Sequence, residues 1–325
     1  MFCVHVSKDE VTVVIPTLNE EEAIWRVIQE IVQAGYHSIL VVDGYSADGT
    51  AKIAESNGCP VIYQHSKGKC GAIETAIENV TTPYTLVMDG DYTYDPREIE
   101  NFLPHAEKYD QIIGARSNGR ENIPRLNRLG NWLITNTFNL LMGTKLSDVC
   151  SGMYLISTHV ARQLEFNTKG FDVEVEIAAQ TATSGMLTEI PIAYRDRVGC
   201  QKLSSFKHGF QIIRTVFGLA RTYNPALFFS GLVTSAVIPA SLILGWVAFE
   251  VLLNEVWHSG YALTGLMLLV LGSQGLAVAT ISLLLRRMEK RMMKKSYLVE
   301  KTDYGLLKTP IHYRKRLEKK AEVDA

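Results

Sequence analysis

The sequence predicts an α/β protein in which a mainly parallel sheet is flanked by helices and followed by a two-helix transmembrane hairpin. Three observations carry that reading. Apolar, β-branched runs alternate with helical patterns between Val11 and Met88. Three of those runs end in loops that carry Asp or Glu. Two long apolar stretches lie in the last third of the chain. A parallel sheet needs long crossovers between its strands, and helices supply them. The expected boundaries are residues 1–225 for a cytosolic domain, 226–285 for two membrane helices and 286–325 for a basic tail.

Taken in order, Val11 to Pro16 is a β-branched run closed by Pro, a buried strand and then a turn. Asn19 to Glu22 opens a helix with acidic residues in its first turn, which runs to about Ala34 and stops at Gly35. Ser38 to Val42 is a second strand, and Gly49 to Asn57 a helix. Val61 to Gln64 is a third strand, Cys70 to Val80 a helix, and Tyr84 to Met88 a fourth strand. Beyond Pro96 the pattern predicts strands over Gln111–Ala115, Gly152–Ile156 and Leu187–Tyr194, and helices over Ile123–Met142 and Asp172–Thr183. Phe206 to Tyr223 is amphipathic and basic, as expected of a helix lying along a membrane surface or of an ordinary connecting helix.

The 325 residues are 47% hydrophobic, enough for one sizeable core and more. A net charge of -1 gives no basis for a nucleic-acid partner, whose binders present strongly basic faces. The excess apolar content is concentrated. Ala226 to Leu253 has Glu250 as its only charge, and Tyr261 to Leu285 has none. Each run exceeds the roughly 20 residues that a helix needs to span the hydrocarbon layer. Buried core helices would also be apolar, but length, absent charge and small residues favour lipid. Lys202, Lys207, Arg214 and Arg221 precede the first run, and Arg286, Arg287, Lys290, Arg291, Lys294 and Lys295 follow the second. The loop between has no Lys or Arg, so the positive-inside rule puts both ends in the cytoplasm. No charged-then-apolar leader opens the chain, and the five scattered cysteines form no Cys-x-x-Cys pair.

Ligands of an open parallel sheet bind beyond the carboxyl ends of its strands. Three acidic loops leave strands at that edge: Pro16 to Glu20, Asp43 to Thr50, and Asp89-Gly90-Asp91. Three such loops repel one another unless a cation or a hydrogen-bonding ligand lies between them. Asp89 and Asp91 are suited to a hard cation, Mg²⁺ or Mn²⁺, which keeps open positions for substrate phosphates. Asp43 is a candidate acceptor for a nucleoside base or ribose, or else a turn-closing residue; Asp48, before Gly49, fits the second description better. Lys67-Gly68-Lys69 before a helix start forms a candidate phosphate cradle.

Val13-Val14-Ile15-Pro16-Thr17-Leu18-Asn19-Glu20, Val41-Val42-Asp43-Gly44-Tyr45-Ser46-Ala47-Asp48-Gly49-Thr50 and Met88-Asp89-Gly90-Asp91 together resemble glycosyltransferase family 2, over roughly residues 10–225. Gly114-Ala115-Arg116, Arg125 to Asn131, Asp148 to Gly152, Phe171 to Glu176 and Arg197 to Lys202 are similar to the polyprenyl- and dolichyl-phosphate sugar transferases, above all archaeal enzymes of N-glycosylation. The resemblance implies the Rossmann-like glycosyltransferase A-type fold and inverting transfer from a nucleotide-sugar to a lipid phosphate. It implies that Pro16, Leu18, Glu20, Val41 and Asp43 line the nucleotide pocket, with Lys69, Asp89 and Gly90. Asp89 and Asp91 would hold metal and diphosphate, and Asp91, Arg116 and Glu176 would serve catalysis. Arg197 and Lys202 would engage phosphate, with Arg125 and Arg128 on an acceptor helix near the membrane. Mannosyl members often have an aromatic where Leu18 stands and Asp where Gly44 stands. They also usually have Ser where Gln201 stands, with one more residue between Arg and Lys. These departures favour a UDP-sugar such as UDP-glucose or UDP-N-acetylglucosamine over GDP-mannose.

A phosphate monoester is already anionic, so as an acceptor it needs charge compensation, which arginines supply, more than a base. Arg116, Arg125, Arg128, Arg195 and Arg197 fit that need, as does a following membrane hairpin. A processive polysaccharide synthase would carry a Gln-x-x-Arg-Trp element, whereas Gln211-Ile212-Ile213-Arg214 is followed by Thr215. A non-enzymatic scaffold would have no use for Asp89 and Asp91 beside basic acceptor residues. The expected partners are a nucleotide-sugar, a dolichyl or other polyprenyl phosphate and membrane lipids, with a homo-oligomer left open.

Overall fold

The computed structural model of the chain describes residues 6–166, 173–184, 186–199, 214–216, 218, 221 and 225–307. The chain divides into two compact units, Met1–Tyr223 and Asn224–Ala325.

In the first unit the elements run β1 (Val11–Thr17), α1 (Ile24–Gln33), β2 (Ile39–Asp43), α2 (Thr50–Ser56), β3 (Val61–Tyr63), α3 (Gly68–Asn79) and β4 (Tyr84–Val87). Then follow β5 (Gln111–Asn118), α4 (Arg125–Met142), β6 (Tyr154–Ser157), α5 (Thr158–Ala161), α6 (Val173–Ser184) and β7 (Leu187–Ala193). The seven strands form one sheet in the order β3-β2-β1-β4-β6-β5-β7. β1 pairs in parallel with β2 and β4, β2 with β3, and β5 with β7. β6 alone runs against its neighbours β4 and β5, so the mainly parallel sheet is mixed.

Alternation along each strand splits the core. Val11, Val13 and Ile15 of β1 join Ile24, Val27, Ile28 and Ile31 of α1 on one face, while Val14, Val42 and Val87 meet Ile73, Phe138 and Ile177 on the other. The i, i+3, i+4, i+7 spacing of the α1 residues is that of a helix with one buried stripe, and each contributes about 1.5–3 kcal/mol on burial. With helices on both faces, the strands read as continuous apolar runs, which made them legible.

The acids of the first loop do not open a helix; α1 begins only at Ile24. Asn19 takes φ 52°, outside the helical region, and its Oδ1 accepts from Ala47 N at 2.7 Å. Glu20 N donates to Thr50 Oγ1 at 2.8 Å, and Glu21 Oε2 accepts from Gly49 N at 2.8 Å. The loop after β1 is thereby pinned to the loop after β2, which takes precedence over an early helix start.

The second unit holds α7 (Pro225–Asn254) and α8 (Ser259–Leu307). Phe228–Asn254 and Ser259–Leu285, 27 residues each, are long and apolar enough to cross a membrane. They pack on each other closely: a Cβ at Gly265 would lie 2.7 Å from Leu244 Cγ, and one at Gly272 2.5 Å from Val237 Cγ2. Small residues at such contacts let two apolar helices approach. The α8 helix continues past the apolar stretch to Leu307, into the basic tail. The amphipathic stretch expected over 206–223 falls almost wholly outside the described residues, as does the tail beyond 307.

Candidate active site

β1, β2 and β4 end at one edge of the sheet, and a cavity of about 920 Å³ opens there. That is the size of a small-molecule site. Pro16, Leu18, Glu20, Lys69, Asp89, Gly90, Asp91, Arg116 and Arg197 all line it. The three loops at this edge each carry a non-glycine residue at positive φ: Asn19 (52°), Tyr45 (63°) and Tyr92 (69°). Such backbone costs about 1–3 kcal/mol per residue and persists where the surroundings over-determine it.

The floor is acidic, and each acid has a cationic partner. The Lys69 ammonium pairs with Asp89 and, at 2.5 Å, with Glu174 Oε1. Arg197 reaches Glu20 Oε1 at 2.7 Å through Nη2 and Asp91 Oδ2 at 3.1 Å through Nη1. Asp91 Oδ1 also accepts from Thr93 N at 3.2 Å and Thr93 Oγ1 at 2.5 Å. Burial, reinforced by the charge of Asp89, pushes the Asp91 carboxyl up from its ordinary value. Burial also raises Glu174, against the pull of Lys69. For Lys69 burial acts downward, but Asp89 and Glu174 outweigh it and hold the ammonium well above its usual range.

These groups fit a divalent cation. Asp89 and Asp91 stand close enough for the charge of one to act on the other, with Lys69 paired to Asp89 and Arg197 to Asp91. The donors are hard oxygens. A Cβ at Gly152 would stand 2.3 Å from Asp89 Oδ2, so only glycine leaves that oxygen open to a ligand. Among the described residues, no third His, Cys, Asp or Glu completes a cluster with Asp89 and Asp91. An ion there would complete its shell with water and substrate phosphate, the usual habit of Mg²⁺.

Other expected residues lie away from the cavity or are committed to partners within the protein. Val41 is fully buried in the core beneath the sheet. Asp43, also fully buried, accepts from Ser46 N and Ser46 Oγ at 2.7 Å each and from Thr17 Oγ1 at 3.3 Å, so its carboxylate closes its own loop. Asp48 accepts from Thr50 N at 3.0 Å and stands over the start of α2, as a turn and capping residue does. Arg116 lines the cavity, but its guanidinium is held bidentately by Asp148, at 2.6 and 2.8 Å, above the Tyr194 ring. Arg125 and Arg128 lie on the exposed side of α4, without an ion-pair partner among the described residues; the cavity side carries Leu126, Asn127, Gly130, Asn131 and Ile134. Glu176 is half-buried on α6 and does not line the cavity; Glu174, one half-turn earlier, does. Lys202 lies outside the described residues.

Several lining residues carried no sequence signal. Tyr94 is fully enclosed, and its hydroxyl accepts from Gly152 N at 2.7 Å, which fixes the glycine against Asp89. Gln64 follows the shortest strand, and nothing in a lone Gln there points to a site.

The family described as Glycosyl transferase family 2 matches residues 12–164. Glycosyltransferase AglJ of Haloferax volcanii is 32% identical over 295 residues, covering 88% of this chain and 97% of that protein. A Dolichyl-phosphate hexose transferase of the same organism is 33% identical over 213 residues, or 64% of this chain and 92% of that one. Among solved structures, glucosyl-3-phosphoglycerate synthase from Mycobacterium tuberculosis, in complex with Mn²⁺, UDP-glucose and phosphoglyceric acid, superposes with a TM-score of 0.53 at 20% identity, covering 64% of this chain and 78% of that one. The same enzyme with Mg²⁺ and UDP gives 0.54 at 20% identity over the same shares. At that identity the likeness shows the fold.

Proposed function

The chain belongs to glycosyltransferase family 2, and from that premise we propose that it moves a sugar from a nucleotide-sugar, with UDP-sugars favoured, to dolichyl or another polyprenyl phosphate. The product is a lipid-phosphate-linked monosaccharide for glycan assembly, protein glycosylation included. The observation that carries this reading is the acidic floor at the strand ends, where Asp89 and Asp91 stand beside Lys69 and Arg197 in a cavity that α4 borders. The name of the second Haloferax relative, a dolichyl-phosphate hexose transferase, supports both a hexose and a dolichyl phosphate.

In this mechanism Asp89 and Asp91 are the residues that would hold Mg²⁺ or Mn²⁺, which would supply charge neutralisation for the leaving diphosphate. Lys69 and Arg197 are the floor cations available to the same diphosphate, and Glu20 keeps Arg197 in place. The acceptor phosphate oxygen attacks the anomeric carbon from the face opposite the nucleotide. As that C–O bond forms, the C–O bond to the diphosphate breaks and the anomeric configuration inverts. An anionic nucleophile needs alignment and charge compensation, so Glu174 and Glu176 orient groups without taking a proton. Arg116, clamped by Asp148, presents a fixed positive charge at the cavity wall.

The lipid reading draws on α4. Leu126, Leu129, Trp132, Leu133 and Leu140 are exposed on it, with Leu129 and Trp132 each at 62%. Arg125 and Arg128 stand among them. An exposed apolar stripe edged by arginines suits acyl chains and an anionic headgroup. With the two apolar helices and the positive-inside pattern, it supports a membrane protein whose catalytic unit and both termini face the cytoplasm.

The test is isotope transfer from a panel of nucleotide-sugars, UDP-glucose, UDP-N-acetylglucosamine and GDP-mannose among them, with Mg²⁺ or Mn²⁺ and a polyprenyl phosphate. Label in organic-extractable lipid from one donor is the expected outcome. Label in insoluble polymer, or no transfer from any donor, overturns the reading.

A further inference from the structure

We propose that Gln64 reads the base of the donor nucleotide, with the stacked Tyr45 and Tyr63 as the aromatic wall beside it; this rests on the nucleotide-sugar reading above.

Gln64 follows β3, and its backbone N–H donates to Asp43 O at 3.1 Å, which ties it to the end of β2. Its side chain is 8% exposed and lines the cavity. The amide has no hydrogen-bond partner among the described residues. An amide that faces the cavity with no protein partner keeps both its donor and its acceptor available to a ligand with a matching edge. Asp43, the acid expected to meet the base, is committed to Ser46. The polar group that the cavity receives at this corner is therefore a glutamine amide.

The surroundings leave the amide open. A Cβ at Gly44 would sit 3.3 Å from Gln64 Oε1 and 3.2 Å from Thr17 O, so any side chain there would press on the acceptor oxygen. Tyr45 stacks on Tyr63, with ring centroids 5.3 Å apart and planes at 24°. Tyr45 is 68% exposed, lines the cavity and takes φ 63°, a conformation that a tyrosine adopts only at a cost. A large, exposed ring held in strained backbone on the cavity lining has the chemistry of a stacking platform.

A primary amide presents a donor beside an acceptor. It pairs with a flat heterocycle that offers the reverse, an N–H next to a C=O, as uracil does at N3–H and guanine at N1–H. The two bases share this edge, and the experiment separates them.

Isothermal titration of UDP and GDP into the full chain in detergent, with Mn²⁺ present, provides the test. Gln64→Leu is expected to weaken the diphosphate that the wild type binds by about tenfold or more, the effect of two neutral hydrogen bonds. Methylation of the base itself, as 3-methyl-UDP or 1-methyl-GDP, is expected to weaken wild-type binding by a similar factor and to make no difference to Gln64→Leu. Tyr45→Gly is expected to weaken binding about fivefold while raising the thermal midpoint, because it removes a ring and relieves the backbone. Equal wild-type affinity for a nucleotide and its methylated form overturns the proposal without relying on any variant, and leaves the nucleotide-sugar reading standing. A wild type that binds neither UDP nor GDP overturns both.

Discussion

The floor of the cavity and the outer side of α4 follow opposite rules. On the floor, charged groups are buried or half-buried, and each carboxylate is matched to Lys69 or Arg197. On α4, Arg125 and Arg128 stand in the open beside Leu129 and Trp132, which are exposed as well. Ion pairs largely withdrawn from water at folding meet a ligand ready-aimed, with little solvent left to reorganise. Exposed apolar groups have gained nothing at folding, and their favourable free energy is still available to a partner that removes them from water. The first surface is built for a charge and the second for a lipid.

Removing one floor carboxylate should break this contrast most strongly. Asp91→Ala is expected to lower sugar transfer by on the order of 10³-fold. Its thermal midpoint should hold or rise, because a buried carboxyl with an elevated pKa is a cost to folding. Near-normal turnover in that variant would sink the assignment of the floor. Next comes Arg197→Ala, which strips the cation from both Glu20 and Asp91. A loss of about 10²-fold in kcat/KM is expected, partly restored by Arg197→Lys, since a lysine cannot reach both carboxylates with a planar fork. If lysine performs as well as arginine, the bridging geometry has no role.

The α4 side is sharpened by the acceptor. Leu129→Gln combined with Trp132→Gln should raise KM for a long polyprenyl phosphate about tenfold, the effect of losing part of two side chains' burial. With a short, water-soluble acceptor phosphate the same variant should match the wild type. A parallel loss with both acceptors would mean that α4 acts through the cavity and not through lipid.

The smallest effect is expected where charge pairing serves only the scaffold. Asp95 caps the turn after the floor loop and pairs with Arg195 at 2.6 Å and with Arg97 at 2.6 Å. Burial acts upward on its carboxyl, but the hydrogen bonds and charge of the two arginines prevail and hold it at about 2, below the ordinary 3.8. A depressed folded-state value means that the stabilisation is complete above about pH 4 and is lost as the pH falls towards about 2. Asp95→Asn should therefore cost about 1 kcal/mol at neutral pH, allowing for solvent screening, and flatten the acid limb of the stability curve. Unchanged steepness below pH 4 would show the pairs to be energetically silent.

What could be read directly from the residues was whatever repeats or clusters along the chain. The strands between Val11 and Val87 were legible because burial on both faces makes them uninterrupted apolar runs. The Asp89-Gly90-Asp91 element was legible because both acids sit within four residues of a strand end. The two apolar helices declared themselves by length and missing charge. Partnership across the fold was not legible. Nothing local says that Asp43 turns back to Ser46 while Gln64 keeps an open amide, or that Glu174 and not Glu176 meets Lys69. Nor does any local pattern say that Arg116 is clamped by Asp148, 32 residues away. Hydrogen bonds and ion pairs depend on distances of a few tenths of an ångström between groups far apart in sequence. Periodicity therefore determined the sheet and the hairpin, and only the tertiary structure decided which polar groups were paired and which remained for a ligand.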